Sequence, residues 1–492
     1  MRNLIIILLI HTGFLTEVLS QSVGDAVRYS QFNPGGTARV LGVGGAYGAM
    51  GGDFSVININ TAGLGEFKMS EFTLTPSFNQ TTATAGYANL LGNDIAQKSS
   101  KLALDNAGLV FSAKNPRGIS TSNFAFGFSK IADLNERFNF SGKSEGSITQ
   151  RFKEKANGKA VKDLDNFEAG IAFDAGAIYD LNKDLTYEAD VFTDEALTKS
   201  QEVIRNGQIN ELSFAWAGKV DNKLNLGLSL NVPFINFEEQ KYYTEEDKGD
   251  EVPLFDRLLF NELLSTSGTG FNIKGGFIYS ASNFIRLGAS FHSPTWYTLN
   301  DNFSTLVDYT YTDQIKENYR VSSPQGDFRY SLSTPWRAIG SIGTIYNLGK
   351  VKGFVNADIE YTDFKNNQFN LTKYSDAAGD REYQNQLNRD IEKLLSQAIN
   401  YRLGTELVIN KLRLRAGIAS TQTPFSADVK RNLTHTFGMG IREDKYFIDA
   451  AVINNTLNSG YIPYTLVDPL QDPLVNVSMA RTRVVITIGM KF

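Results

Sequence analysis

The sequence predicts an all-β membrane-spanning fold: an antiparallel, up-and-down β-barrel of about 14 strands, with a glycine-rich N-terminal segment of short helices in its lumen. Three observations carry this. Strands alternate apolar and polar residues with period two, short and long connections alternate between those strands, and the chain opens on an export leader.

The last strand shows the pattern. Met490, Ile488, Ile486 and Val484 form one face, and Lys491, Gly489, Thr487, Val485 and Arg483 the other. Such a strand presents one side to an apolar phase and the other to a polar interior. Leu224, Leu226, Leu228, Leu230, Val232 and Phe234 alternate with Lys223, Asn225, Gly227, Ser229 and Asn231. The stretches from Leu212, Ile285, Val355 and Leu412 repeat the alternation. A soluble sandwich alternates too, but its apolar face needs a partner sheet; the leader and the repeated strands of membrane-crossing length favour the barrel. Phe492 closes the chain on an aromatic residue, as bacterial outer-membrane barrels do.

Met1-Arg2-Asn3 is a short positive start, and Leu4 to Ile10 is an unbroken apolar run. That run is too short to span a bilayer, which takes about 20 residues, so residues 1–20 read as a cleaved signal peptide with Gln21 next. The 492 residues include no cysteine, which excludes a disulfide framework and a thiolate metal site. A net charge of -5 without a basic block argues against nucleic acid as a partner. No later segment is apolar long enough for a membrane helix, and a closed barrel is the remaining way to cross.

Short turns fall at 220–222, 281–283, 347–350, 410–411 and 443–444, and longer loops at 235–270, 299–334, 364–400, 422–431 and 457–480. With short turns on the periplasmic side, both termini are expected there. Counting back from Phe492 gives strands down to Glu211, and Glu71–Asn79, Gly108–Lys114 and Asn123 to about Gly142 complete the set. The third of these is irregular. Phe124, Phe126 and Phe128 share an apolar face, but the same parity would put Lys130 and Glu136 into lipid, at a cost of roughly 2–4 kcal/mol for a midplane Lys. Lys130 to Glu136 therefore reads as a break.

A barrel of that size needs a filling. Residues 21–70 show no strand periodicity and are glycine-rich, and Thr37 to Met50 is expected as a small-residue helix. Leu41-Gly42-Val43-Gly44-Gly45-Ala46-Tyr47-Gly48, Gly52-Asp53 and Asn58-Ile59-Asn60-Thr61-Ala62-Gly63-Leu64 together resemble the hatch of the FadL/TodX outer-membrane transporters. The resemblance implies a 21–70 hatch inside a 71–492 barrel, in a bacterial outer membrane. It implies passive transport of hydrophobic compounds, long-chain fatty acids foremost, with no enzyme activity and no cofactor. The family's Asn-Pro-Ala motif falls on Asn60, Thr61 and Ala62, with Thr61 in place of proline. Its lateral opening falls on the break, at Phe128, Lys130, Ala132 and Asp133. The expected partners are hydrophobic small molecules, lipopolysaccharide or other outer-membrane lipid, and the barrel-assembly machinery through the strand ending at Phe492.

Leu254, Phe255, Leu258, Leu259 and Leu263 are spaced as a helical stripe, read as a collecting groove on an outer loop; Leu387, Ile391, Leu394, Leu395 and Ala398 form a second. The alternative is that each stripe packs its loop onto the rim. Glu238, Glu239, Glu245, Glu246, Asp247, Asp250 and Glu251 read as a solvated acidic loop rather than a metal site. Arg286, Asp358, Glu360, Arg402, Glu406, Arg413, Arg415 and Arg483 are expected to pair across the lumen, with one arginine available to a carboxylate. The competing functions are a general porin, which would not need the glycine-rich segment, and a hydrolase. His292 and His435, the histidines beyond the leader, lie in no catalytic motif.

Overall fold

The computed structural model describes residues 21–88, 94–114, 119–312, 315–375, 378–427 and 430–492, so the expected leader lies outside the described residues. The ascending strands are β1 (Glu71–Tyr87), β3 (Ile119–Asp133, then Glu136–Glu145), β5 (Leu224–Glu246), β7 (Ile285–His292, then Trp296–Thr312), β9 (Val351–Asp363), β11 (Leu412–Gln422) and β13 (Tyr446–Tyr461). The descending ones are β2 (Ile95–Lys114), β4 (Ala196–Val220), β6 (Phe255–Ser280), β8 (Lys316–Ser322, Gly326–Ser333 and Arg337–Leu348), β10 (Gln397–Ile409), β12 (Arg431–Arg442) and β14 (Val475–Lys491). Neighbours pair antiparallel, and β14 returns to β1 from Lys491↔Glu71 to Val475↔Tyr87, so the sheet closes as a 14-strand barrel.

One end carries tight turns, with Asp221, Asn222, Asn410 and Gly349 at positive φ. Next to this end the outward face is an apolar belt: Phe72, Leu74 and Phe78 on β1, Leu226 to Val232 on β5, and Ile486, Ile488 and Met490 on β14 are all exposed. Nothing among the described residues covers them, so lipid is their partner. The strands continue well past this belt. β6 has 26 residues where a crossing takes about 10, and the outward face of β5 turns polar at Asn236 and Glu238.

That extension corrects two expected loops. The 235–270 loop shrinks to 247–254 because β5 and β6 pair from Glu246↔Arg257 inward, and most of 299–334 belongs to β7 and β8. Above the belt the outward face meets water, so a strand there needs no apolar parity and the alternation that marks the membrane zone stops early. The same effect lengthens the expected first three strands to Tyr87, Ile95 and Glu145. The stripe from Leu254 to Leu263 is likewise strand and not helix. Leu254 is a turn residue at positive φ, Phe255 and Leu258 point inward into a buried cluster, and Leu259 and Leu263 lie on the opposite face. A single groove of these five residues does not form. The second stripe is helical over Ala378–Leu394, and buries Leu387, Ile391 and Leu395 against Tyr330, Leu332, Phe369 and Leu371.

The long connection 146–195 carries helices Thr149–Ala156 and Ala169–Asp174, whose Phe152, Ile171 and Ala172 pack on Phe260, Val307 and Tyr309 inside the extended wall. At the tight-turn end the lumen holds the hatch. Helix Val23–Tyr29 is closed by a Ser22/Asp25 capping box, helix Ala38–Gly42 is capped by Thr37, and 3-10 turns follow at Phe54–Asn58 and Thr61–Glu66. The expected Thr37–Met50 helix stops at Gly42 because Gly44 and Gly45 take positive φ.

Wall and hatch meet backbone to backbone at glycines. A Cβ on Gly404 or Gly417 would strike Val43, one on Gly288 would strike Gly48, and one on Gly227 would strike Thr61 and Ala62. Each missing side chain is a notch that seats the plug directly on the sheet. Gly417→Val should unseat the hatch, at about 1–3 kcal/mol of overpacking. The expected result is higher planar-bilayer conductance and greater sensitivity to large antibiotics, with heat-modifiable gel mobility retained.

Candidate functional site

The third strand loses its wall. β2 and β3 pair from Lys114↔Thr121 to Asn106↔Ser129, and there the ladder stops. Ile131 is the extra residue of a bulge against β4, and beyond Asp133 the strand pairs with β4 alone. Its outer half bends inward: Phe138 and Phe140 are buried on Ala83, Ala85 and Tyr87 of β1 and on Val475 and Val477 of β14. Residues 95–105 of β2 are therefore left with β1 on one side and a slot on the other.

Polar groups close the slot. Lys130 is 1% exposed, with its Nζ 2.7 Å from Asp105 Oδ1 and 3.5 Å from Asp133 Oδ2. Asp105 also accepts from Ser77 Oγ at 2.8 Å and pairs with Arg483. Farther out, Lys101 Nζ donates to Asn135 Oδ1 at 2.6 Å, and Gln97 Nε2 to Glu202 Oε1 at 3.4 Å. The residues singled out for the opening thus divide. Phe128 faces outward beside Phe234, Lys130 and Asp133 are parts of the clasp, and Ala132 is buried.

The hatch touches this break directly. Asn33 N–H donates to Ile131 O at 3.0 Å, and Gly35 N–H donates to Lys130 O. A Cβ on Gly35 would lie 2.8 Å from Asp105 O and 3.1 Å from Lys130 O, so only glycine passes here. Behind these contacts is a cavity of about 40 Å³ that reaches Ile131 and is bounded by Tyr29, Phe32, Glu211, Lys274, His292 and Arg337. Lys274 pairs with Glu211 and donates to Asn58 Oδ1 at 3.1 Å. Arg337 and Arg402 share the Glu360 carboxylate, at 3.5 and 2.9 Å. The Phe32 ring lies under both cations, 4.0 Å from Arg337 Cζ and 5.4 Å from Lys274 Nζ, with His292 on edge at 5.6 Å. His292 Nε2 meets Ile59 O at 3.2 Å, while its buried Nδ1 has no hydrogen-bond partner among the described residues.

The hatch motif is anchored by Asn60. Its amide donates to Gly48 O at 2.8 Å and Phe277 O at 3.0 Å, and its oxygen caps Ala62 N. Thr61 Oγ1 lies 3.4 Å from Ser229 Oγ, so the residue in the proline position ties the turn to β5. Most of the lumen charges engage the hatch or one another: Arg286 with Glu66, Arg415 with Glu406 and Asp449, and Glu406 also with Arg39. Asp358 accepts from the Tyr47 and Gly48 amides, whereas Arg413 donates to Asn410 O and forms no ion pair among the described residues. In the 146–195 cap, burial would raise the Glu168 carboxyl, but Arg151 and Lys155 hold it well below the usual carboxylate range. The acidic loop does not gather: Glu239 pairs with Arg205, and Glu245 accepts from Ser147 and Ile148 N. No group of acidic or histidine residues among the described residues could hold a metal ion.

No protein-family model matches the sequence, and no curated protein matches it. Solved structures do. The toluene transporter TodX of Pseudomonas putida matches 94% of this chain and 100% of its own, with a TM-score of 0.52 at 13% identity. A Pseudomonas aeruginosa FadL homologue matches 94% and 100%, with 0.52 at 11%. The fold is that of the FadL/TodX-type outer-membrane transporters. At these identities the likeness is one of architecture, and the residues of the cavity and clasp belong to this chain.

Asp105, Lys274, Arg337, Phe32 and Gly35 were not singled out from sequence. The inward parity of Lys274 opposite the outward Ile273 and Phe277 was the available signal. Removing Lys130 leaves the buried Asp105 with Arg483 alone and takes from Asp133 its ion pair, at about 1–3 kcal/mol. Lys130→Met should therefore lower the urea or thermal midpoint of the purified barrel clearly, and Lys101→Met, at the solvated end of the slot, should not.

Proposed function

We propose that this chain carries hydrophobic compounds with an acidic head, long-chain fatty acids foremost, passively across a bacterial outer membrane, with the tight-turn end and both termini in the periplasm. The observation that carries the reading is the junction of three features at one point: a hatch-filled lumen, a broken wall strand, and a cation-lined cavity between them. A hydrophobic solute needs a protein path because it does not partition readily through the outer face of such a membrane. The TodX and FadL-homologue neighbours support transport as the class of activity. The plug seated on wall glycines argues against a general porin, because a water-filled channel has no use for it.

On this reading the ligand head takes the place of the Phe32 ring beneath Arg337 and Lys274. A carboxylate there gains charge-assisted hydrogen bonds that the ring cannot offer. Moving Phe32 pulls on Asn33 and Gly35, which hold the bulge at Lys130 and Ile131, so arrival of the ligand loosens the slot. The tail then leaves sideways through the gap between β2 and β3.

Two measurements test this. Because the chain has no cysteine, Lys101→Cys with Asn135→Cys can be bridged by a short bis-maleimide. Uptake of labelled oleate by cells carrying the bridged protein should fall to the level of cells lacking it, with heat-modifiable mobility unchanged. Undiminished uptake in a verified bridged barrel would rule out lateral exit. Arg337→Met should weaken oleate binding to the purified protein by about tenfold or more while sparing an uncharged analogue such as oleyl alcohol. Equal losses for both would remove the acidic-head assignment.

A further inference from the structure

We propose that the outer edge of the β7–β12 wall is a docking surface for a phosphorylated glycolipid of the surrounding leaflet. Two tyrosines stand at the outer margin of the apolar belt, each with guanidinium or ammonium groups held against its ring. Arg329 Cζ lies 4.6 Å and Lys373 Nζ 5.2 Å from the centroid of Tyr374, and Arg431 Cζ lies 5.0 Å from that of Tyr401. All five residues are exposed.

Their height follows from the strand register. Phe271 is an exposed outward residue near the outer end of the β6 belt, and it pairs with Trp296, itself 51% exposed. Trp336 stacks between Phe291 and Tyr361 at the same margin, an aromatic girdle of the kind that marks a membrane–water boundary. Going outward from Trp296↔Ser333, the next outward pairs are Thr298↔Ser331 and Asn300↔Arg329. Tyr374 OH lies 3.4 Å from Thr298 Oγ1. Arg329 and Lys373 therefore stand only a few residues beyond the girdle, where lipid headgroups begin. On the far side of this arc Tyr401 pairs with Ile359, an exposed belt residue, and Arg431 donates to Ser420 and Ile399 O beside it.

Arg329, Lys373 and Arg431 form no ion pair among the described residues, whereas lumen cations such as Arg402, Arg415 and Arg483 each meet a carboxylate within 4 Å. Arg329 and Lys373 share one ring, and the Tyr374 phenol is pushed down to about 8 by hydrogen bonds from Thr298 and Lys373. The same outward face offers neutral acceptors and donors, the exposed Gln368 and Asn370, suited to sugar hydroxyls. Asp327, the acid on this strand face, lies two residues farther from the membrane than Arg329. Two cations fixed against a ring, next to lipid and with no counter-ion among the described residues, fit a phosphate carried by a lipid whose chains run along the belt. This inference rests on the orientation proposed above, with the long connections facing outward, and does not depend on the transported compound.

The test titrates full-length protein in detergent with diphosphoryl lipid A and counts bound lipid by native mass spectrometry. The triple variant Arg329→Gln, Lys373→Gln, Arg431→Gln should bind roughly a hundredfold more weakly, and wild-type protein should lose a similar factor toward dephosphorylated lipid A. Heat-modifiable mobility reports that the variant folds, and oleate uptake by the variant should stay at wild-type level, which separates this surface from the cavity. Equal lipid A binding by variant and wild type overturns the proposal. Displacement of the lipid by millimolar inorganic phosphate also overturns it, because the surface would then hold any free anion. If wild-type protein takes up no oleate yet binds lipid A as described, the transport reading fails and this one stands.

Discussion

A wall that crosses hydrocarbon cannot leave backbone groups unpaired, and the rest of this structure is arranged around the place where the wall does break. Between Ser129 and Glu136 the third strand has no partner on its β2 side. The hatch supplies one: Asn33 and Gly35 donate to the carbonyls of Ile131 and Lys130. Leu134 N–H turns to Gly207 O, and Asn135 N–H to the Asp133 side chain. The break is thus a strand whose missing neighbour has been replaced from inside. Hatch and slot are coupled as a consequence, since neither can move without opening the other's hydrogen bonds.

The same economy explains the glycines of the wall. A plug that only floated in the lumen would need side-chain layers on both surfaces, and a barrel of this width has no room for two. Removing the Cβ at Gly227, Gly288, Gly404 and Gly417 lets hatch backbone lie against strand backbone. Polar groups then lock the seat: Asp358 on the Tyr47 and Gly48 amides, Asn60 on Gly48 and Phe277, and Glu406 on Arg39. These contacts are numerous and individually modest, which suits a plug that stays in place at rest and can still shift locally at Phe32 to Gly35.

Much of the barrel was legible in the sequence because lipid enforces a simple rule on every second residue. Leu224 to Val232 and Val484 to Met490 obey it, and their strands fell where the alternation put them. The rule ends where lipid ends. Glu239, Lys241 and Glu262 sit in regular strands above the belt, yet their parity resembles a loop, and Leu254 to Leu263 mimics a helix because one face packs under the cap while the other meets solvent. The break at Lys130 was legible for the opposite reason, as the one place where the rule fails inside a strand. Its clasp was not, because Asp105 reaches Lys130 only through a bulge opposite Thr75 and Pro76, and a one-residue bulge inverts parity without leaving a compositional trace. The cavity stayed hidden for a related reason: Phe32, Glu211, Lys274, His292 and Arg337 come from five separate elements that only closure of the barrel brings together.

The height of the slot bears on how an amphiphile would use it. Phe78 is the outermost exposed apolar residue of β1 and pairs with Leu102; one step farther, Asn79 pairs with Lys101, whose amine bridges the slot to Asn135. On β4 the corresponding outermost residue is Leu212, opposite Phe128. The ladder between β2 and β3 stops lower, at Asn106↔Ser129 and below the exposed Leu104 and Leu102, but the bridge from Lys101 to Asn135 stands where the belt ends, at the level of headgroups. A solute with an apolar tail and a charged head leaving there can send its tail down along Phe128 and Leu212 into lipid while its head stays among Lys101, Asn135 and Glu202. At no stage does the charge cross hydrocarbon, which is the step that would cost most. The polar clasp of Lys130, Asp105 and Arg483 lies a few residues lower, just below Leu104, and is tolerable there because Lys130 and Asp105 are buried away from lipid and every charge of the clasp is paired.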